Sequence, residues 1–254
     1  CYKLKFSSYT MSYIINKLNQ KIAYKYTKGC SPGIVFVHGL NSDMQGLKAK
    51  SIEKYAKKNK LRFLRFDCRG HGQSFGRFED FVISDWKQDL LDVIDKLTKG
   101  PQILIGSSMG AWLMILAAKA RPKKIAGLIG LSAAADFGYS LHKSLSLKNK
   151  NEIKNKGFTR YSSREFSYIL TKKFFINAKK NNILGKPFRF KKPFILIHGI
   201  KDKVVSDAIP KKIMEITTGN DVQIHFLKSS DHRLSSKKDF LTINNAINRV
   251  LSAI

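Results

Sequence analysis

The chain is poor in cysteine and has no long apolar run, and each shortage excludes a class of protein. Its 254 residues include three cysteines and no C-x-x-C pair, so we expect free thiols in a reducing compartment and no disulfide framework. No apolar run approaches the ~20 residues that a membrane-spanning helix needs, so no transmembrane segment is predicted. Cys1 to Phe6 lacks the apolar core of a signal peptide and the pattern of a transit helix. The sequence begins without Met, so we expect either that Met11 is the true start or that the chain is a processed or partial product. We expect a cytoplasmic protein.

Acidic residues are also scarce, with 18 Asp and Glu against 47 Lys and Arg, for a formal net charge of +29. The lysines are spread along nearly the whole chain, and no nucleic-acid-binding motif occurs. We therefore expect no specific nucleic-acid partner, although incidental binding of polyanions at low salt follows from such a charge. No His, Asp and Cys group has metal-ligand spacing, so neither a metal nor another cofactor is predicted.

The apolar residues that are present alternate between strand and helix patterns. Such alternation predicts one α/β domain over residues 1–254, with a mostly parallel sheet flanked by helices. The predicted strands are Ile22–Tyr26, Ile34–Val37, Leu61–Phe66, Ile103–Ile105, Ile125–Leu131, Phe194–Ile197 and Val222–Leu227. The predicted helices are Gly46–Asn59, a helix that Ser84 caps and that runs to Leu97, Ala111–Ala120, and Lys237–Leu251.

One polar stretch interrupts this rhythm. Residues 136–192, the cap segment, are lysine-rich and carry aromatic residues among the charges, including Phe166, Tyr168 and Phe174. Only one crossover is needed between the strands on either side of it, so we predict an inserted helical cap over the edge of the sheet. This cap is expected to form a wall of the substrate pocket.

The most informative stretch is Gln102 to Trp112, where an apolar strand runs into Gly-x-Ser-x-Gly and then into a helical pattern. Such a strand–turn–helix is typical of a nucleophile elbow, with the serine at its apex. Gly106 and Gly110 are needed because side chains there would collide with the returning chain. We therefore predict that Ser108 is a catalytic nucleophile.

A serine hydroxyl needs a base, and four histidines follow Ser108. His142 lies inside the cap segment, His225 lies in the last strand, and His198 ends a strand in a His-Gly turn. His232 lies in a polar loop between the last strand and the last helix, from which an imidazole can reach over the sheet edge. We predict His232 as the general base.

The base needs a carboxylate that fixes its tautomer. Asp202 follows a buried strand, and this position at the carboxyl end of a neighbouring strand suits the orienting acid. Asp207 fits the capping of the next helix better, so Asp202 is preferred. Asp136 remains an alternative, as does Asp231, which is badly placed because it directly precedes His232.

The oxyanion that forms during acyl transfer needs two hydrogen-bond donors. We predict the backbone N–H groups of Met109, directly after the nucleophile, and of Leu40, in the His-Gly loop after an early strand. His38 in that loop is expected to shape the loop. The glycine-rich run from Asp67 to Ser74 is interpreted as a structured turn without a direct catalytic role.

Together these motifs resemble the α/β-hydrolase superfamily over essentially the whole chain. Within it, the chain resembles the abhydrolase-domain acyl-protein thioesterases of mitochondria and their bacterial relatives. The resemblance rests on Gly100 to Met114, Ala120 to Pro122, His198 to Asp202 and Ser230 to Arg233. It implies the α/β-hydrolase fold, a mitochondrial location in a eukaryote, and removal of S-palmitoyl groups or cleavage of activated esters such as acyl glucuronides. The cap segment does not match clearly, and Ser206 stands where the family has proline.

We therefore predict a cofactor-independent serine hydrolase of carboxylic esters or thioesters. It would use Ser108, His232 and Asp202, with an acylated protein or acyl-CoA among its candidate substrates. A peptidase of the same fold is one alternative, and a non-catalytic binding protein is another. A dehalogenase or an epoxide hydrolase would need aspartate in place of Ser108 and is excluded.

Overall fold

The structure is a computed structural model that describes residues 11–162 and 167–254. The N-terminal stretch Cys1 to Phe6, for which no targeting peptide is predicted, lies outside the described residues, as does Phe166 of the cap segment.

Within the described residues, ten strands and eight α-helices follow one another along the chain. The strands are β1 (Ser12–Ile15), β2 (Lys21–Thr27), β3 (Cys30–Val37), β4 (Leu61–Phe66), β5 (Gln102–Ser107), β6 (Ile125–Leu131), β7 (Phe158–Ser162), β8 (Ser167–Thr171), β9 (Phe194–Gly199) and β10 (Val222–Leu227). The helices are α1 (Leu47–Lys58), α2 (Ile83–Leu97), α3 (Met109–Ala120), α4 (Phe137–Ser144), α5 (Leu147–Lys156), α6 (Lys172–Lys180), α7 (Ala208–Ile216) and α8 (Lys237–Leu251). Short 3-10 turns occupy Phe78–Asp80 and Pro122–Lys124.

The central sheet of the described chain has eight strands in the order β1-β2-β4-β3-β5-β6-β9-β10. β2 runs antiparallel to β1 and to β4, and every other neighbouring pair is parallel. The order of β3, β5, β6 and β9 brings the carboxyl ends of these parallel strands to one edge of the sheet. That edge is where loops after different strands can meet.

The central strands β3, β5, β6 and β9 are largely apolar because the sheet is covered on both faces there. Along β3, Val35 belongs to one buried apolar cluster, whereas Ile34 and Phe36 belong to a second. Leu104 in β5 belongs to the first of these clusters and Ile105 to the second. Side chains that alternate between two cores give the continuous apolar runs typical of buried parallel strands. The predicted bounds of β4, β6, β10 and α8 agree with the structure.

The start of α2 differs from the prediction. Val82 is the residue before the helix, and the carboxylate of Asp85 accepts a hydrogen bond from its N–H at 3.0 Å. Ser84 instead lies in the first turn, where its hydroxyl accepts hydrogen bonds from the amides of Asn177 at 3.0 Å and Asn181 at 2.9 Å. The predicted capping role of Ser84 is therefore wrong, because its oxygen is used in joining α2 to α6.

The cap segment contains three helices and an antiparallel strand pair. The helices α4, α5 and α6 agree with the helical character that we predicted, but the pair β7–β8 was not predicted. Its residues are aromatic and β-branched, such as Tyr161, Tyr168 and Ile169, and these residue types favour strands. The prediction missed this signal because lysines flank both strands.

Candidate active site

Ser108 lies at a sharp turn between β5 and α3. Its backbone has φ 53° and ψ −118°, a conformation that residues other than glycine seldom adopt. A Cβ atom at Gly110 would overlap the carbonyl oxygens of Val37 and His38, and one at Gly106 would meet the Ala111 backbone. The two glycines let the strand and helix pack this closely. The turn leaves Ser108 half-buried at the sheet edge, whereas Ser107 is buried.

The structure brings Ser108, His232 and Asp202 together from three separate loops. The Oγ of Ser108 lies 3.2 Å from Nε2 of His232. The opposite ring nitrogen, Nδ1, lies 2.8 Å from Oδ2 of Asp202. When Nδ1 carries the imidazole proton and its N–H donates a hydrogen bond to Asp202, Nε2 is left as an acceptor for the serine hydroxyl.

Asp202 is held as a buried anion. Its other oxygen, Oδ1, accepts hydrogen bonds from the backbone N–H groups of Val204 at 2.8 Å and Val205 at 2.9 Å. Burial raises the pKa of Asp202, but the hydrogen bonds from His232, Val205 and Val204 outweigh burial and hold that pKa below its ordinary value. The carboxylate is therefore charged and fixed in direction.

The two predicted oxyanion donors lie in segments that border Ser108. Met109 is the first residue of α3, so its N–H belongs to the free donors at a helix N-terminus. Leu40 follows Gly39, and a Cβ atom on Gly39 would lie only 3.2 Å from Cβ of Ser108. The loop after β3 therefore runs directly against the serine.

His38 shapes this loop. Its ring is buried, with Nδ1 2.7 Å from the carbonyl oxygen of Gly39. The other ring nitrogen, Nε2, accepts a hydrogen bond from the N–H of Cys68 at 3.0 Å. Burial lowers the pKa of His38, which suits a neutral ring that donates at Nδ1 and accepts at Nε2. His38 thus ties the loop after β3 to the turn after β4.

The turn from Asp67 to Ser74 is held by its own buried polar groups. The Asp67 carboxylate accepts hydrogen bonds from the N–H groups of Met44 at 2.7 Å and Gln73 at 2.9 Å. Arg69 forms a buried ion pair with Asp89 at 2.6 Å. Each of these groups has a partner within the scaffold, which agrees with the structural interpretation of this run.

The other candidate residues lie elsewhere. His225 lies in β10, where it pairs with Ile197 of β9, and the His142 ring lies 5.0 Å from that of Phe175 in the cap segment. The Asp136 carboxylate accepts hydrogen bonds from the N–H groups of Ile183 and Leu184. Asp231 accepts one from the N–H of its near neighbour in the same loop, at 2.9 Å. None of these four contacts Ser108.

Two neighbouring features were not predicted. Asp207, expected to cap α7, makes no capping hydrogen bond, and its carboxylate pairs with Lys211 at 2.7 Å. His198, interpreted as a packing residue, is buried with Nε2 4.0 Å from the same Oδ2 of Asp202 that His232 contacts. This distance is too long for a hydrogen bond. The sequence feature that could have indicated this proximity is the position of His198 at the end of β9, just before the loop that contains Asp202.

Residues 11–162 and 167–254 contain no cluster of three or more His, Cys, Asp or Glu side chains placed to hold a metal ion. In the same residues, no helix combines the length and apolar character that crossing a membrane requires.

Comparison with known proteins identifies the family of this chain. A family described as serine aminopeptidase, S33 matches residues 31–162. The human mitochondrial palmitoyl-protein thioesterase ABHD10 is 37% identical over 241 residues, which are 92% of this chain and 78% of that protein. The mouse ABHD10 structure superposes with a TM-score of 0.89 at 33% identity, covering 96% of this chain and 98% of that one. The chain belongs to this α/β-hydrolase family. A putative hydrolase from Agrobacterium vitis is similar too, with a TM-score of 0.88 and 27% identity over 94% of this chain.

Family membership confirms the predicted fold class, a mostly parallel sheet flanked by helices. It also confirms the predicted enzyme class: this α/β hydrolase cleaves ester or thioester bonds. Its curated ABHD10 relatives are named mitochondrial proteins.

Proposed function

We propose that this α/β hydrolase removes acyl groups from cysteine thiols, using Ser108 as nucleophile, His232 as general base and Asp202 as orienting acid. The observation that carries the proposal is the continuous path from Ser108 Oγ to His232 Nε2 at 3.2 Å and from His232 Nδ1 to Asp202 at 2.8 Å. The choice of thioester is supported by relatives named palmitoyl-protein thioesterase. Acyl-CoA and activated oxygen esters are further candidate substrates.

In the first half of the reaction, Ser108 Oγ attacks the acyl carbon as its proton passes to Nε2 of His232. The negative charge that develops on the carbonyl oxygen accepts hydrogen bonds from the N–H groups of Leu40 and Met109. Asp202 stabilises the imidazolium ion without taking its proton. When the intermediate collapses, the bond from the acyl carbon to sulfur breaks, and Nε2 returns the proton to the departing thiolate.

In the second half, water attacks the acyl-enzyme. Nε2 of His232 takes a proton from the water as its oxygen bonds to the acyl carbon, and the same two N–H groups hold the oxyanion. Collapse of this intermediate breaks the bond to Ser108 Oγ, which recovers its proton from His232. The products are a carboxylic acid and the free thiol, and no cofactor takes part.

A peptide amide is the second candidate for the scissile bond, because the matched family is described as serine aminopeptidases. An aminopeptidase binds a protonated α-amino group. The cap segment instead carries an excess of positive charge, with 15 Lys and Arg from Lys143 to Lys192 against Glu152 and Glu165. This field disfavours a cationic substrate, so we prefer the ester and thioester reaction.

The cellular compartment belongs to the same proposal. Cys68 is buried and Cys30 exposed, and both are free thiols, which suits a reducing compartment. We propose the cytoplasm in a bacterial cell, and the mitochondrion in a eukaryotic cell by analogy with the relatives' names.

The test is covalent labelling of Ser108 together with turnover. Wild type, Ser108→Ala and Ser107→Ala are treated with a fluorophosphonate probe and assayed on an S-palmitoyl peptide, a p-nitrophenyl ester and an aminoacyl amide. We expect labelling and turnover to disappear in Ser108→Ala and to persist in the matched control Ser107→Ala. Ester or thioester hydrolysis that survives Ser108→Ala would overturn the mechanism, and a clear preference for the amide would overturn the substrate class.

A further inference from the structure

Lys48 makes a contact that the proposed mechanism does not use. It is the second residue of α1, and its Nζ donates a hydrogen bond to the backbone carbonyl oxygen of Arg233 at 2.6 Å. Arg233 directly follows the proposed base, His232. The contact joins two residues that are 185 positions apart in the chain. It therefore joins the loop that contains His232 to the first turn of α1.

The end of α1 that carries Lys48 is a rigid anchor. In the loop before it, the N–H of Met44 donates to the Asp67 carboxylate at 2.7 Å, and the carbonyl oxygen of Met44 accepts from Arg65. The N–H of Gln45 donates to Asp43 at 2.6 Å. A group held by Lys48 is thus held relative to the β3–β4 part of the sheet.

The His232 loop needs such an anchor. Leu234, two residues after His232, is fully buried but has a φ of 45°, a left-handed conformation that a leucine seldom adopts. Strain of this kind persists only where surrounding contacts impose it. Before His232, the loop is fastened by the hydroxyl of Ser230, which donates to Asp239. After it, the carbonyl of Arg233 is fastened by Lys48.

The surroundings of Lys48 favour a persistent contact over a mobile surface side chain. The side chain is half-buried. Burial lowers the pKa of Lys48 to about 8, in spite of the opposing charges of Asp231, Asp202 and Asp239. These three carboxylates lie in or beside the His232 loop and attract the Lys48 cation, against a smaller repulsion from Arg233 in the same loop.

We propose that Lys48 is a positioning residue for hydrolysis, which fixes the backbone directly after His232 so that Nε2 stays in line with Ser108 Oγ. This role rests on the proposed function of His232 as the base. A single hydrogen bond from a half-buried side chain adds little to global stability, about 1 kcal/mol or less. A shift of the base by about 1 Å, in contrast, can slow a reaction by up to about 100-fold.

The experiment compares Lys48→Met and Lys48→Arg with Lys50→Met. Lys50 is an exposed lysine in the same turn of α1, so Lys50→Met removes the same charge without touching the loop. Hydrolysis of p-nitrophenyl butyrate, a small neutral ester, is measured per active site, with sites counted by fluorophosphonate titration. Urea unfolding and Ser108→Ala are run in parallel.

For Lys48→Met we expect kcat to fall about 10-fold with KM within about twofold, the pattern of an interaction that matters in the transition state. Lys48→Arg should recover most of kcat because its guanidinium can still donate to the carbonyl, and Lys50→Met should match wild type. Lys48→Met at wild-type kcat, or an equal loss in Lys50→Met, would overturn the positioning role. Activity in Ser108→Ala would instead overturn the proposed function itself.

Discussion

Asp202 and Asp136 are two carboxylates that follow neighbouring strands, β9 and β6, yet their hydrogen-bond partners give them different roles. Asp202 accepts two backbone N–H groups on one oxygen and the His232 ring on the other. The oxygens of Asp136 accept hydrogen bonds from the backbone N–H groups of Ile183 and Leu184, and so join the start of the cap segment to a stretch near its end. The partner of the second oxygen is what separates an orienting acid from a structural anchor.

The pair Asp202→Asn and Asp136→Asn tests this difference. In Asp202→Asn, the amide can donate to Nδ1 of His232 and favour the wrong tautomer, so kcat should fall about 10³- to 10⁴-fold. In Asp136→Asn, the amide oxygen still accepts a backbone hydrogen bond, so kcat should stay within about threefold of wild type. Steady-state kinetics on one thioester decides between them. Similar losses in both variants would contradict the assignment of Asp202.

At the scale of elements, the loops after β3 and β4 form one buried polar network beneath the site. His38 links Gly39 to Cys68, and the N–H of Asn41 donates to Nε2 of His71 at 3.2 Å. The His71 ring also packs edge-on against Trp86. Because the Leu40 amide lies between these fastened points, the network sets the shape of the loop that is proposed to hold the oxyanion.

This network should make the enzyme sensitive to acid. Burial lowers the pKa of His71 to about 3 from an ordinary value of 6.5. As the pH falls below 6.5, His71 is therefore protonated in the unfolded chain but stays neutral in the folded chain. The stability that the neutral ring contributes is present above pH 6.5 and is lost as the pH falls towards 3. The loss should reach a few kcal/mol, since one unit of pKa is worth ~1.4 kcal/mol.

The measurement is the free energy of unfolding in urea at several pH values between 7 and 4. His71→Gln keeps a side chain that can accept from Asn41 but cannot titrate. Its stability should fall less steeply with acid than that of wild type, even if it is lower at pH 7. Parallel curves for the two proteins would show that His71 does not contribute. His38, whose pKa burial also lowers, should account for part of the remaining slope.

At the scale of the whole molecule, charge is unevenly distributed. The stretch from Lys143 to Lys192 holds 15 of the 47 Lys and Arg residues but only two of the 18 acidic ones. This stretch spans most of the cap segment, which lies between β6 and β9 in the chain. β6 is the neighbour of β5 in the sheet, and Ser108 directly follows β5. A field of this sign attracts anions toward the sheet edge.

Salt should therefore slow the capture of anionic substrates selectively. We expect kcat/KM for an acyl-CoA to fall several-fold between about 20 and 300 mM NaCl, because the Debye length shortens from over 20 Å to below 10 Å. A neutral ester of the same acyl chain serves as the control and should change by less than about twofold. An equal salt response of the two substrates would contradict electrostatic attraction.

Much of the fold followed from local pattern. The burial of β4 and β6 and the alternating apolar residues of β10 produced runs whose bounds could be predicted. The Gly-x-Ser-x-Gly turn indicated Ser108 directly. We predicted His232 and Asp202 from their positions in the loops after β10 and β9, and their catalytic roles stay predictions. The β7–β8 pair was missed because its short strands lie among lysines, where the polar pattern favoured helices.

The sequence by itself determined the order of strands and helices along the chain and the place of the nucleophile elbow. Both depend on residues within a few positions of each other. Only the tertiary structure decided which polar groups meet. Asp85 rather than Ser84 caps α2 because Ser84 meets α6, 93 and 97 residues away in sequence. Lys48 meets the His232 loop across 185 residues. Such pairings depend on how packed elements approach one another, which no local pattern encodes.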